Sequence, residues 1–316
     1  MTTEFPAPGL TERPDLPPGL RIATSAYLTL FGRPPATVWL VPGAVTLLAN
    51  GPLRLTVATP WGTTGAVGPR DDDLIEVVKL EHPGERASLT VSEAASGAGP
   101  EWAGTGLMAA RGGATLLVKA ELPEGSGVGA RAATQAAIRL CLSGADSPRE
   151  DLAAGSAAGS AVLGTPVAGG ARGGSQRLPF DLAAAGLRLV IIDTRVRGEP
   201  LSPPAESSPM AVAAKALGEG DITAIGPLLT AAHEAMDCED VQRVAVSAAL
   251  RAGALGARAL TDGPGRPACA LVPAGRLADV RAGVCAWFAR SSLRPPRFLT
   301  FAPAQGPRRL GHAWQA

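Results

Sequence analysis

Lysine is almost missing from this chain of 316 residues, occurring only at Lys79, Lys119 and Lys215. Asparagine occurs once, at Asn50, and tyrosine once, at Tyr27. Aromatic residues make up 4% against 46% hydrophobic residues, so the core must be built from Ala, Val and Leu rather than from rings. Charged residues are only 18% and balance to a net +1. That balance excludes the basic composition typical of nucleic-acid-binding domains. One arginine group stands out late in the chain, at Arg294, Arg297, Arg308 and Arg309, and reads as a solvated tail. The four cysteines, Cys141, Cys238, Cys269 and Cys285, lie far apart in apolar stretches. They form no CxxC or Cys/His spacing for zinc and no disulfide framework. No apolar run reaches the roughly 18 residues of a membrane span. The opening MTTEFPAPGLTERPDLPPGL has neither the basic nor the apolar region of a signal peptide. The expectation is a cytoplasmic protein with no membrane or nucleic-acid partner.

What is present is enough chain for about two domains of roughly 150 residues each. Residues 1–20, with five prolines, read as an extended leader. Strand-like runs follow in ATVWLVPGAVTLLA and LRLTVATPWG, with Gly and Pro as punctuation. Asp71–Asp73 and the stretch 81–106 read as exposed turns around two short strands, DLIEVVKLE and ASLTVSEA. ATLLVKAELP is a further strand, then a Gly-rich turn feeds an Ala-rich helix in PEGSGVGARAATQAAIRLCL. Residues 147–163 continue helical, 164–177 read as a small-residue loop, and LRLVIIDTRV at 187–196 is a buried strand. Three helical segments fill SPMAVAAKAL, DITAIGPLLTAAHEAM and EDVQRVAVSAALRAG. A strand–loop–strand unit, an amphipathic helix in RLADVRAGVCAWFAR and a closing strand end the chain. Without strict βαβ alternation, this reads as α+β, with a boundary near residue 185.

The turn Pro123-Glu124-Gly125-Ser126-Gly127-Val128-Gly129-Ala130-Arg131 is the clearest candidate site. Its glycines let backbone N–H groups converge at a helix N-terminus, which suits an anion such as a phosphate. An ordinary strand-to-helix turn is the other reading. It is neither a Walker loop nor the GxGxxG of a Rossmann unit. Elsewhere, His233 on a helix reads as a packing residue, and His82 and His312 as solvent-facing. Tyr27 and the five tryptophans read as core or edge residues, and Asp193 as a structural residue at a strand end.

The order of these segments resembles the galactokinases and the wider GHMP small-molecule kinase superfamily. The resemblance runs from about Ala26 to Leu310. It is carried by AYLTLFGRPP, Val41-Pro42-Gly43, the glycine turn, LVIIDTRVR, AIGPLLTAAHEAM, the region LRAGALGARALTDGPGRPACALVPAGRLADVRAGV and RFLTFAPAQGPRRL. It implies a two-domain α+β fold: a leader at 1–20, a mixed-sheet domain over 21–185 and a ferredoxin-like domain over 186–316, with a cleft between the two domains.

The residues that carry the family's chemistry depart from its pattern. The family's first motif places a catalysis-assisting Arg where this chain has Ala44. Its sugar-holding Glu-His-Thr-Asp falls on Asn50, Gly51, Pro52 and Leu53. In the second motif Gly125 and Gly127 remain, but the serines that help hold magnesium become Gly129, Ala130 and Arg131. The third motif's glycine loop becomes Thr261-Asp262-Gly263-Pro264-Gly265-Arg266-Pro267, stiffened by two prolines. The family's catalytic Asp belongs in 163–177, where there is no Asp, Glu or His; Asp151 and Asp181 only flank it. These departures imply no catalytic residue and no metal ligand. They leave Gly125, Ser126, Gly127, Gly129 and Arg131 to bind ATP or another phosphate-bearing ligand, with magnesium deprived of its hydroxyl. The reading is a pseudokinase with a small-molecule ligand or protein partner. The alternative is an active ATP-dependent sugar kinase that uses replacement residues.

Overall fold

The computed structural model describes residues 16–50, 53–144, 167–169, 175–199, 210–261 and 263–311. Helices and strands are numbered here in chain order. Helix α1 (Pro18–Phe31) starts inside the expected leader, because Pro18 at its first position has the fixed φ a helix needs and no N–H to lose. It ends at Gly32, whose φ of +69° is left-handed. Strands β1 (Thr37–Asn50) and β2 (Leu53–Pro69) run straight through Pro42-Gly43 and Pro60, which the sequence had suggested as breaks. A register shift between Pro42 and Ala44 absorbs the irregularity as a bulge. Both strands are buried almost continuously, because helices cover both faces of the sheet.

Strands β3 (Leu74–Lys79), β4 (Ala87–Thr90) and β5 (Ala114–Ala120) extend the same sheet. The pair β3–β5 is parallel and the other pairs along the sheet are antiparallel. The expected strand ASLTVSEA stops at Thr90. There Thr90 Oγ1 accepts the Glu93 N–H at 3.2 Å and Glu93 Oε2 accepts the Thr90 N–H at 2.7 Å. That reciprocal capping starts the short helix α2 (Val91–Ala95) instead. Helix α3 (Ala130–Ser143) packs on one face of the sheet, with Cys141 seated against Gly65. Helix α1 covers the other face, where Leu20, Ala23 and Tyr27 meet Val38, Ala66 and Leu117. The strands β6 (Val167–Gly169) and β7 (Ser175–Arg177) pair with each other, and β6 joins β2. The expected small-residue loop therefore contributes two strands. The expected helix at 147–163, Asp151 and His312 lie outside the described residues.

The second sheet is antiparallel and built from β8 (Leu187–Asp193), β9 (Gly256–Ala259), β10 (Ala268–Pro273) and β11 (Arg297–Phe301). Between β8 and β9 come α4 (Met210–Gly218), α5 (Ile225–Glu234) and α6 (Asp240–Arg251), and between β10 and β11 comes α7 (Leu277–Arg290). The spatial order β11-β8-β10-β9 is that of a ferredoxin-like layer. Val190, Ile192, Ala270 and Val272 face α6 and α7. Leu189, Ile191, Cys269 and Leu271 join the main core with residues of the first sheet. The last strand, β12 (Arg308–Gly311), leaves this layer and pairs with β1, so the first sheet runs β12-β1-β2-β5-β3-β4.

Candidate functional site

The glycine turn sits between β5 and α3, where three residues adopt left-handed backbone: Gly125 at φ +70°, Gly127 at +77° and Gly129 at +66°. Side chains other than glycine rarely take that conformation, which is why the residues alternate as they do. Helix α3 starts directly after Gly129 with no side chain capping it. Ser126 is buried, and its hydroxyl donates to the Pro123 carbonyl at 2.7 Å. Its Oγ is therefore spent within the turn and does not project as a ligand group.

The turn forms one wall of a pocket of about 630 Å³. Lys79 of β3, Glu101, Trp102, Glu124 and Arg131 line it with Gly125, Gly127 and Gly129, and Gly263 and Pro264 close one side. Two ion pairs border the space. Lys79 Nζ lies 3.0 Å from Glu124 Oε1 and 5.8 Å from the Trp102 ring centre. Arg131 Nη2 lies 3.0 Å from Glu101 Oε1 and also donates to the Glu101 carbonyl at 3.1 Å. Lys79 is 7% exposed while Glu124 is 74% exposed, so the lysine is the anchored partner. Trp102 Nε1 is buried and finds no acceptor among the described residues. His82 is exposed at the pocket rim.

The loop on the C-terminal side is pinned to the glycine turn. Arg197 donates to the Glu124 carbonyl at 3.1 Å and to both Asp193 carboxylate oxygens, at 2.8 and 3.1 Å. Asp193 is thus a buried tether at the end of β8, outside the pocket. Gly127 packs against Pro267 and Leu260. Arg266 is buried, pairs with Glu239 at 2.5 Å and donates to the Glu199 carbonyl at 2.7 Å. The Pro264 and Pro267 carbonyls accept the Gly198 and Leu260 N–H groups, at 2.7 and 2.9 Å, and with Arg266 tie residues 264–267 to their neighbours.

Ala44 lies behind the glycine turn. It is buried, and its N–H donates to the Val128 carbonyl at 2.9 Å. It meets the turn through backbone and a methyl group, with no charge to offer. Asn50 and Leu53 are register partners at the β1–β2 turn; Gly51 and Pro52 lie outside the described residues. Asp181 is exposed, and its Oδ1 accepts the Ala184 N–H at 2.9 Å. In the Asp71–Asp73 triplet, the Arg70 guanidinium beside Asp72 holds its carboxyl down at about 2. His233 Nδ1 accepts the Ala259 N–H at 3.4 Å, as a packing residue would. Tyr27 and Trp39 are core, and Trp287 lies between Arg251 and Arg290. Burial pushes the Cys269 thiol up to about 11, and raises those of Cys141 and Cys238.

No protein-family model matches the chain. The galactokinase of Streptomyces coelicolor is 26% identical over 90% of this chain and 97% of its own length. The galactokinase of Mycobacterium tuberculosis is 49% identical over 73 residues, 21% of this chain and 20% of its own length. The crystal structure of Lactococcus lactis galactokinase complexed with galactose superposes with a TM-score of 0.75. It covers 92% of this chain and 99% of that one at 18% identity. The chain is galactokinase-like, with the GHMP-kinase fold. The mevalonate kinase of Methanococcus jannaschii shares the fold at a TM-score of 0.59 and 13% identity, over 85% of this chain and 98% of its own.

Within this galactokinase-like scaffold the structure brings Gly125, Gly127, Gly129 and Arg131 to one pocket. Sequence reasoning missed Lys79, Glu101 and Trp102. Lys79 carried a signal, being one of three lysines and closing the apolar run Val77-Val78 of its strand. Glu101 and Trp102 carried none, because they lie in an irregular segment.

Proposed function

We propose that this galactokinase-like protein binds a phosphate-bearing ligand, ATP or another nucleotide, in the glycine-turn pocket without efficient phosphoryl transfer. The observation that carries this is Ala44. Phosphoryl transfer is achieved mostly by positioning and electrostatics. At the position where the family's Arg acts, this chain has a buried methyl group whose backbone is already bonded to the turn. The missing carboxylate in 163–177 points the same way. Two such losses cost on the order of 10⁴ in rate if each group is worth about 10².

The residues present fit a phosphate better than they fit a magnesium complex. Gly125, Gly127 and Gly129 open the turn to an anion, and the uncapped start of α3 faces the same pocket. The Ser126 hydroxyl is engaged, and Glu101 and Glu124 are each held by a cation. Arg131 would contact phosphate oxygens directly as a bidentate donor. With this goes a division of the chain near residue 185 and a place in the cytoplasm.

An ATP-consumption assay with millimolar galactose tests the proposal. The expected result is no consumption above background. Turnover near about 1 per second, the low end for kinases, would overturn it in favour of an active sugar kinase using replacement residues. A thermal-shift screen against nucleotides and sugars, with and without magnesium, should identify the ligand by its stabilisation of the fold.

A further inference from the structure

Four guanidinium groups gather where β8 ends and β11 begins. Arg297 is the register partner of Asp193 across the two strands, and Arg195 and Arg197 follow Asp193 closely in the chain. Arg294 enters from the turn after α7. Arg308 and Arg309, grouped with Arg294 and Arg297 by sequence, leave with β12 to the first sheet. The tail of the sequence reading is therefore two separate surfaces.

Asp193 is the carboxylate amid this group, and it is fully engaged. Both its oxygens accept from Arg197, and Oδ1 also accepts the Arg195 N–H at 2.9 Å. Among the described residues, the side chains of Arg195, Arg294 and Arg297 have no carboxylate partner. Partial desolvation, then the charges of Arg294 and Arg297, hold the Arg195 pKa below its ordinary value. Arg195 also sits at φ +63°, a left-handed conformation uncommon for a residue with a side chain. The Asp193 acceptor stabilises that turn and so keeps Arg195 among its like-charged neighbours. The gathering does not follow from overall basicity, since the chain carries a net charge of +1.

The geometry points to a binding site for a compact oligophosphate, with two or more linked phosphate groups, held by Arg195, Arg294 and Arg297. A guanidinium fits phosphate oxygens in bidentate fashion and needs no metal to do so. Among the described residues, no exposed ring beside these arginines offers a stacking platform of the kind that holds single-stranded nucleic acid. Phe298, the ring beside Arg297, turns into the helical layer, where Arg281 lies over it at 6.0 Å. The site does not depend on the nucleotide reading of the glycine-turn pocket.

Calorimetric titration with inorganic tripolyphosphate tests it, using the parent, the double variant Arg294→Ala/Arg297→Ala and Arg131→Ala. The parent should bind saturably at low salt and more weakly as salt rises. The double variant should bind at least about tenfold more weakly, having lost two charge-assisted donors. Arg131→Ala should keep the binding event that the double variant loses, whatever it loses at the glycine-turn pocket. Both arginines of the double variant are exposed, and removing like charges should leave its melting temperature equal or higher. If it melts earlier, Arg294→Gln alone carries the test, again with weakened binding expected. Absence of saturable binding, or unchanged binding in the arginine variants, overturns the proposal. So does loss of that same event in Arg131→Ala, which would place the ligand in the glycine-turn pocket. Tighter binding of a single-stranded oligonucleotide through the same arginines would also overturn it.

Discussion

Gly265 and Gly125 touch backbone to backbone: a Cβ on Gly265 would overlap the Gly125 carbonyl oxygen. The contact joins the loop before β10 to the turn before α3, and Arg197 bridges to Gly265 alongside it. A side chain at Gly265 would part the two loops, and one at Gly125 would run into the Arg197 guanidinium. Gly265→Ala should therefore destabilise the fold by about 2 kcal/mol, the usual cost of overpacking. It should also weaken any phosphate binding at the turn. Urea unfolding reads the first effect, and Gly84→Ala, which meets open space, is the matched control.

Removing the Arg197 side chain leaves Asp193 buried, with only a backbone donor to hold it. Arg197→Ala should cost about 2 kcal/mol, the penalty of stranding a buried acceptor, reduced by the exposure of the arginine. Arg197→Lys should recover only part of this, because an ammonium cannot span both carboxylate oxygens and the Glu124 carbonyl in one plane. Chemical denaturation of the three proteins in parallel decides it.

Burial, and then the positive charges of Arg258 and Arg243, hold the His233 imidazole below its ordinary value of 6.5. The folded state keeps the ring neutral, with Nδ1 accepting the Ala259 N–H. The unfolded chain takes up its proton first as pH falls, so acidification favours unfolding. The stability that His233 contributes is complete above the unfolded value and declines as pH drops below it. Between about pH 7.5 and about pH 5.5, His233→Gln should lose less stability than the parent. Identical pH slopes would show that other groups carry the acid sensitivity.

Glu101 competes with any incoming phosphate for Arg131. Both groups are largely exposed, so the pair itself is weak, worth between nothing and about 1 kcal/mol. Glu101→Gln should tighten binding of ADP by a few-fold and Arg131→Ala should weaken it, both equally with and without chelator. Affinity that depends strictly on magnesium would contradict the direct contact between Arg131 and phosphate.

Much of the fold was legible because burial leaves a pattern. The strands of LRLVIID and ATLLVKA and the helices at the end of the chain lie where their apolar spacing suggested. Pro42 and Pro60 misled, because proline at a bulge or away from a ladder hydrogen bond does not end a strand. The strand reading of ASLTVSEA rests on its apolar alternation alone and makes no use of the Thr90–Glu93 pair that caps the helix there. The glycine turn could be read locally, since its φ values are a property of the turn itself. Its partners could not. Lys79, Glu101–Trp102 and Gly263–Pro264 reach the pocket from three distant segments, and no periodicity links them. The meeting of Arg195 with Arg294 and Arg297 is likewise a product of the β8–β11 pairing.

The pairing of β12 with β1 has a consequence for how the molecule is made. Arg309 and Thr37, which meet across it, are 272 residues apart in the chain. While the protein emerges from the ribosome, the outer edge of β1 waits unpaired until β12 has been translated. An open strand edge invites pairing with other chains. Nascent copies on neighbouring ribosomes therefore share a window in which Thr37–Leu40 of one can recruit another, and β12 acts as a built-in stopper that closes it.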